Sequence, residues 1–311
     1  MKIYFFAVTF CLFYLSCTSN SGQFDTFRYG KVDKKMIVSG AERDYTLHVP
    51  SGYRGNTALP LVVVLHDINN TGSSFYQSSG WPAVCQRENI FAVFPGALEY
   101  CTGNPGGTDK QRIWNTGSVA TPSLCAGVVM QDDIAFFNQL LDRLFIDFNI
   151  DKKRIYVVGF GNGGQMAVKT GLEMGSRIAA ITQFAGSFTG PGNWQSTRDV
   201  PVLFQVGNQD DVFFMNKKGL SLASLEAGIK DENNPLSFVA RAYTNLYSLP
   251  DGFTLTGDTT AVVKAAFYKN SQAPLLEMSL VNNLGHTYPA GSHPFVAAEQ
   301  HWNWLKTIIL P

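Results

Sequence analysis

Short unbroken apolar runs alternate along this chain with stripes of apolar residues at helical spacing. Residues 59–65 (LPLVVVL) are apolar throughout and stop at His66-Asp67. A run without polar alternation predicts a strand covered on both faces, as in a parallel sheet. Residues 90–95, 155–159, 178–184, 200–206 and 276–281 predict further buried strands, and 36–49 two short ones broken at Gly40-Ala41. Between them, Ile134, Phe137, Leu140, Leu141, Leu144 and Phe148 recur at helical spacing over 131–148. That wide stripe predicts a helix laid on the sheet. Residues 151–154 are expected as a turn, and 163–172 and 295–310 as helices. Strand and helix in repeated alternation predict an α/β domain with a mainly parallel central sheet flanked by helices. Residues 213–273 lack clean periodicity and are expected as an irregular, lid-like insertion.

The first residues follow a different pattern. Met1-Lys2 gives a positive start, and residues 3–15 are almost wholly apolar. This run of about 13 residues is shorter than the roughly 20 that a spanning helix needs, and it has the length of a secretory signal core. Tyr14-Leu15-Ser16-Cys17 resembles a bacterial lipoprotein signal, in which the cysteine is lipidated. The expected organisation is a signal peptide over 1–16, a flexible tether over 17–34 anchored through Cys17, and one domain over 35–311. The chain is thus expected to be exported and lipid-anchored at the cell envelope, or secreted.

Composition narrows the class. Of 311 residues 45% are hydrophobic, and 24 basic residues balance 24 acidic ones. That apolar share supports a sizeable core, and the balanced charge gives no reason to expect nucleic acid or an anionic membrane surface as partner. Five cysteines are present, two of them in the leader. Export permits a disulfide. Cys101 and Cys125 share a Gly/Pro-rich loop region and are expected to pair, leaving Cys85 as a small buried hydrophobe. The cysteine and histidine spacing fits no structural zinc site.

The chemistry is expected at the carboxyl ends of the strands, where ligands of open parallel sheets bind. His66-Asp67, Gly159-Phe160-Gly161-Asn162-Gly163-Gly164, Asp210-Asp211 and Gly285-His286 all fall there. A strand, glycines at 159 and 163 and then a helix make the layout of a nucleophile elbow, followed in order by an acid and a histidine. Read as a dinucleotide loop, the glycines lack the acidic residue expected about 20 positions on.

These residues, with Tyr45–Pro50, Leu59–His66, Asp151–Gly159, Gly207-Asn208-Gln209-Asp210 and Gly285-His286-Thr287-Tyr288-Pro289, resemble the secreted esterases related to polyhydroxybutyrate depolymerases and to feruloyl and acetylxylan esterases. The resemblance implies the α/β-hydrolase fold, a serine mechanism without metal or organic cofactor, and ester-bearing polysaccharide or polyester as the partner. It places His286 as base, Asp210 (with Asp211 as the alternative) as its acid, and His66, Asp67 and the backbone of Asn162 around the oxyanion hole. Trp114-Asn115 resembles the pair beside the family's cleft, although a Trp shielding a core edge reads equally well. Trp81, Tyr100, Phe213 and Phe214 are further candidates for aromatic surface.

Two positions depart from the family pattern. Gly161 stands where the nucleophile serine is expected, so no Oγ is there for His286 to deprotonate. Asp67 stands where glycine is usual, and a carboxylate beside a developing oxyanion opposes its charge. Ser187 follows the next strand but lacks the flanking glycines of an elbow. Three expectations follow: an ester hydrolase with weakened chemistry, a non-catalytic protein that holds a glycan or acyl ligand in the old cleft, or an envelope interaction protein.

Overall fold

A computed structural model of the protein describes residues 27–103, 109–117, 123–188, 195–215, 219–270 and 273–311. The signal segment 1–16 and Cys17 lie outside the described residues. Twelve strands, seven α-helices and one short 3-10 turn (Leu222–Ser224) follow one another among them. The chain enters through β1 (Gly30–Val38) and β2 (Ala41–Val49), then β3 (Leu59–Leu65), α1 (Gly72–Ser78), α2 (Trp81–Glu88) and β4 (Phe91–Pro95). A small hairpin, β5 (Glu99–Cys101) and β6 (Lys110–Arg112), precedes α3 (Asp133–Asp147), β7 (Ile150–Phe160), α4 (Asn162–Glu173), β8 (Ala180–Phe184) and β9 (Val202–Gly207). Then come α5 (Leu225–Lys230), α6 (Pro235–Tyr247), β10 (Thr254–Asp258), β11 (Val262–Phe267), β12 (Leu276–Val281) and α7 (Ala297–Leu305).

Ten of the strands form one sheet in the order β1-β2-β4-β3-β7-β8-β9-β12-β11-β10. The six central strands, β4 to β12, are mutually parallel, and an antiparallel hairpin closes each edge. Side chains alternate across each strand, so neighbours on β7 report both faces. Val157 lines one small cavity with Phe137 and Leu140 of α3 and Thr170 of α4, while Tyr156 meets Trp302 of α7 edge-on. Both faces are covered, which is why β3 and the Ile155–Val158 part of β7 read as unbroken apolar runs.

The chain passes from β3 outward to β4 and then returns to the other side of β3 as β7. The direction of winding reverses between β3 and β7, and a crevice opens at their carboxyl ends. Leu65 pairs with Gly159 in that register, so His66-Asp67 and Gly161 leave the sheet side by side.

Several expectations change. The described fold begins before residue 35: β1 starts at Gly30, and the Phe27 ring packs 4.7 Å from that of Tyr53. A tether reaching 34 is therefore too long, because the segment has a strand partner in β2 and an aromatic contact. Residues 151–154 lie within β7, whose pairing with β3 shifts register between Leu59 and Leu61. The closing helix stops at Leu305, and Leu310 N–H instead donates to the Lys153 carbonyl. The insertion after β9 is more regular than its sequence suggests. It holds α5 and α6, and its β10–β11 hairpin extends the sheet instead of capping it. The sequence reading also missed α1 and α2, although Thr71 and Ser74 form a capping box and Pro82 opens α2.

Cys101 and Cys125 are joined by a disulfide, and Cys85 is free and buried. Between β2 and α3 lies an ion pair taken wholly out of water. Arg43 donates to Asp133 at 2.6 Å and to the Gly96 carbonyl at 3.2 Å, with its guanidinium over the Phe136 ring. The second oxygen of Asp133 accepts the Asn115 N–H at 2.7 Å. The pair thus ties β2 and α3 to the segment that carries Trp114.

Candidate functional site

Four strand ends supply the site, and each is fixed by local bonding. At the end of β3, His66 is fully buried. Its Nδ1 lies 2.7 Å from the Asp67 carbonyl, and its Nε2 accepts the Ala97 N–H at 3.1 Å. That geometry requires a neutral ring protonated on Nδ1. Burial, which disfavours the charged form, holds its pKa down at about 4. Trp114 Nε1 donates to the His66 carbonyl, and Asn69 exchanges hydrogen bonds with the Arg112 backbone. The loop is clamped on both sides, and the direction of the Asp67 side chain is set.

At the end of β7 the backbone turns sharply at Gly161, with φ +54° and ψ −118°. The turn is tight enough that a Cβ on Gly159 would strike the Gly163 carbonyl, and one on Gly163 the carbonyls of Leu65 and His66. Asn162 opens α4. Its side-chain oxygen accepts the Trp114 N–H at 2.7 Å, which leaves its own N–H facing the crevice.

His286 follows β12 and Asp210 follows β9, strands that pair directly. Asp210 is fully buried, and both its oxygens lie 2.9–3.0 Å from His286 Nδ1. One of them also accepts the Phe213 N–H at 2.8 Å. Asp211 is exposed, and it is Asp210 that holds the imidazole. The His286 loop is locked from behind through Tyr288. Its hydroxyl accepts from Trp81 Nε1 at 2.9 Å and donates to His301 Nδ1 at 3.1 Å. His301 Nε2 in turn donates to Gln205 at 2.7 Å. Complete burial holds the His301 pKa down at about 3, so it stays neutral and this arrangement persists.

The Asp67 carboxylate lies at the centre of the crevice. Its Oδ1 accepts the Asn162 N–H at 2.7 Å, and its Oδ2 lies 3.3 Å from His286 Nε2. A Cβ placed on Gly161 would overlap the same carboxylate. Asp67 therefore fills the volume in which a side chain at 161 would stand, seated on the N–H expected to serve an oxyanion and against the His286 nitrogen such a side chain would use. The described hydrogen bonds of His286 engage both ring nitrogens, one toward Asp210 and one toward Asp67, so neither is turned to Ser187.

This arrangement changes the charge state of the histidine. Burial opposes protonation, but hydrogen bonds and charges from Asp210 and Asp67 outweigh it and push the His286 pKa up to about 9. That shift favours the imidazolium between the two carboxylates at neutral pH, the form that has no free lone pair with which to accept a proton. A raised folded-state pKa stabilises the fold fully below about 6.5, the unfolded value, and that contribution is lost as pH rises through about 9. The imidazole NMR signals of His286 should accordingly titrate near 9, and in Asp67→Asn the midpoint should fall. An unchanged midpoint in that variant would separate Asp67 from the imidazole.

Other sequence candidates are placed differently. Trp114 is fully buried: its ring donates to the His66 carbonyl and its backbone N–H to the Asn162 side chain, and it offers no surface to a substrate. Asn115 is partly exposed and held by Asp133, the Gln131 carbonyl and Lys169. Trp81, Tyr100, Phe213 and Phe214 are all core residues rather than cleft surface. Sequence reasoning passed over Phe160, whose ring centroid lies 5.0 Å from that of His286. It also passed over Arg112, which braces the Asp67 loop. Among the described residues no group of three or more His, Cys, Asp or Glu could hold a metal ion, and no helix is long and apolar enough to cross a membrane.

Comparison with known proteins agrees with this fold. The Phospholipase/Carboxylesterase family model matches residues 54–231, more than half of the chain. Feruloyl esterase B of Piromyces equi is 24% identical over 277 residues, covering 86% of this chain and 46% of that protein. Poly(3-hydroxyalkanoate) depolymerase C of Paucimonas lemoignei is 28% identical over 139 residues, 45% of this chain and 30% of its own. The chain thus spans less than half the length of these two relatives. The acetyl xylan esterase structure from Aspergillus awamori superposes with a TM-score of 0.60 at 13% identity, covering 88% of this chain and 99% of that one, and so shares the fold.

Proposed function

Because the chain belongs to the Phospholipase/Carboxylesterase family, an esterase family of α/β-hydrolase fold, we propose that it is an exported member that receives acyl esters of polysaccharide or polyester in its cleft without acyl-serine turnover. The carrying observation is the Asp67 carboxylate, seated on the Asn162 N–H and against His286. Gly161 supplies no hydroxyl. The one oxyanion donor expected after the nucleophile position is already engaged by an anion, and the base is protonated. A tetrahedral intermediate would find neither a nucleophile to form it nor a donor to stabilise it. The substrate class rests on the named activities of the relatives, a feruloyl esterase and a polyhydroxyalkanoate depolymerase. Export rests on the apolar leader, and a lipid anchor on Cys17.

The test uses the purified full chain beside His286→Ala. The two are expected to hydrolyse 4-nitrophenyl acetate at the same background rate. The unmodified chain is also expected to sediment with acetylated xylan in preference to deacetylated xylan. A stoichiometric burst of nitrophenol from the unmodified chain would overturn the blocked site. Equal sedimentation with the two xylans would remove acetylated polysaccharide as the ligand.

A further inference from the structure

We propose that the Asp67 carboxylate is itself the nucleophile of this site, acting on a saturated carbon that carries an anionic leaving group such as a halide or a sulfate. This goes beyond the ligand-holding reading above and stands independently of it. The two oxygens of Asp67 have different environments. Oδ1 is held at 2.7 Å by the Asn162 N–H, whereas among the described residues Oδ2 has the long 3.3 Å contact to His286 Nε2. The side chains of Asp67 and His286 remain 22% and 18% exposed, enough for a small molecule to reach them. Ile68, Val212 and Met215 are exposed apolar side chains, each within five residues in sequence of Asp67 or Asp210.

In the first step Oδ2 forms a bond to the carbon as the bond to the leaving group breaks, and the halide or sulfate departs with its electron pair. The product is an alkyl ester of Asp67. Its formation removes the negative charge beside His286, so the imidazolium gives up its proton to solvent and becomes a base held by Asp210. In the second step His286 takes a proton from water, and the hydroxide attacks Cγ of Asp67. The charge that develops is on Oδ1, where the Asn162 N–H already points. Collapse releases the alcohol with the former Oδ2, restores the Asp67 carboxylate and leaves His286 protonated. The sum is one water consumed and one alcohol, one anion and one proton formed.

The same geometry explains why acyl esters do not turn over by this route. Attack of a carboxylate on an ester carbonyl gives a tetrahedral adduct from which the carboxylate leaves far more readily than an alkoxide, so the adduct returns to reactants. Displacement at a saturated carbon generates no oxyanion in its first step and needs no second donor.

The experiment treats the full chain, Asp67→Asn and His286→Gln with 1-bromobutane, reading bromide release and peptide mass. The unmodified chain is expected to release bromide over many turnovers, and Asp67→Asn to fall to the buffer rate with its melting curve still cooperative. His286→Gln should stop after one equivalent, with one butyl group on the peptide that contains Asp67. In 18O-water, a single turnover of the unmodified chain should place the label in the Asp67 carboxylate and not in the butanol. Equal bromide release by the unmodified chain and Asp67→Asn would overturn the proposal. So would a His286→Gln protein without butyl on Asp67, or label found directly in the first butanol.

Discussion

Gly161→Ser alone is expected to leave the protein inactive toward aryl acetates, while Gly161→Ser with Asp67→Gly turns them over with a burst of nitrophenol. The new Cβ would overlap the Asp67 carboxylate. Asp67 is a side chain and can rotate away, but only by giving up the Asn162 N–H and the contact to His286. A positive φ for a non-glycine residue adds to the cost, and together these should lower stability by about 1–3 kcal/mol. The displaced carboxylate still stands beside the oxyanion site. Loss of one oxyanion donor costs on the order of 100- to 1,000-fold in rate, so the double variant should exceed the single one by about 100-fold or more. His286→Ala added to the double variant should abolish the burst. A single variant as fast as the double one would show that Asp67 does not guard the seat.

The second large effect lies beneath the site. Arg43 and Asp133 are each only 1% exposed. Asp133→Ala would leave a guanidinium buried without its carboxylate, and breaking such a pair costs about 3–5 kcal/mol. Against a total of about 5–15 kcal/mol for a typical domain, that is a large share. The urea midpoint should fall accordingly. The double change Arg43→Met/Asp133→Leu should lose less, because no charge is left unpaired. Asp133 also accepts the Asn115 N–H, so the single variant should loosen the Trp114 segment and with it the His66 carbonyl. Equal midpoints for the single variant and the unmodified chain would contradict the buried pair.

Much of the sheet was legible because its central strands are covered on both faces. Such strands have no polar alternation, and β3 was bounded correctly from that alone. The elbow and the histidine after β12 were legible as motifs at strand ends. The direction of Asp67 was not. It depends on the Leu65–Gly159 register and on the clamp made by Trp114 and Arg112, pairings far apart in sequence. The one sequence signal was a coincidence, a side chain lost at the end of β7 and one gained at the end of β3. Trp114 was ambiguous for a related reason: an aromatic residue before a loop reads alike as cleft wall and as core, and only its burial decides. The strands β10 and β11 escaped notice because β10 is exposed throughout and carries no apolar alternation. The helices α1 and α2 are short, and their caps were the only local signal.

The central claim is that a carboxylate from β3 occupies the place of a side chain missing from the end of β7. A high-resolution crystal structure of the full chain tests it most directly. The account predicts Asp67 Oδ1 within hydrogen-bonding distance of the Asn162 amide and Oδ2 beside His286. An Asp67 turned to solvent, with the Asn162 N–H open to the cleft, would contradict it.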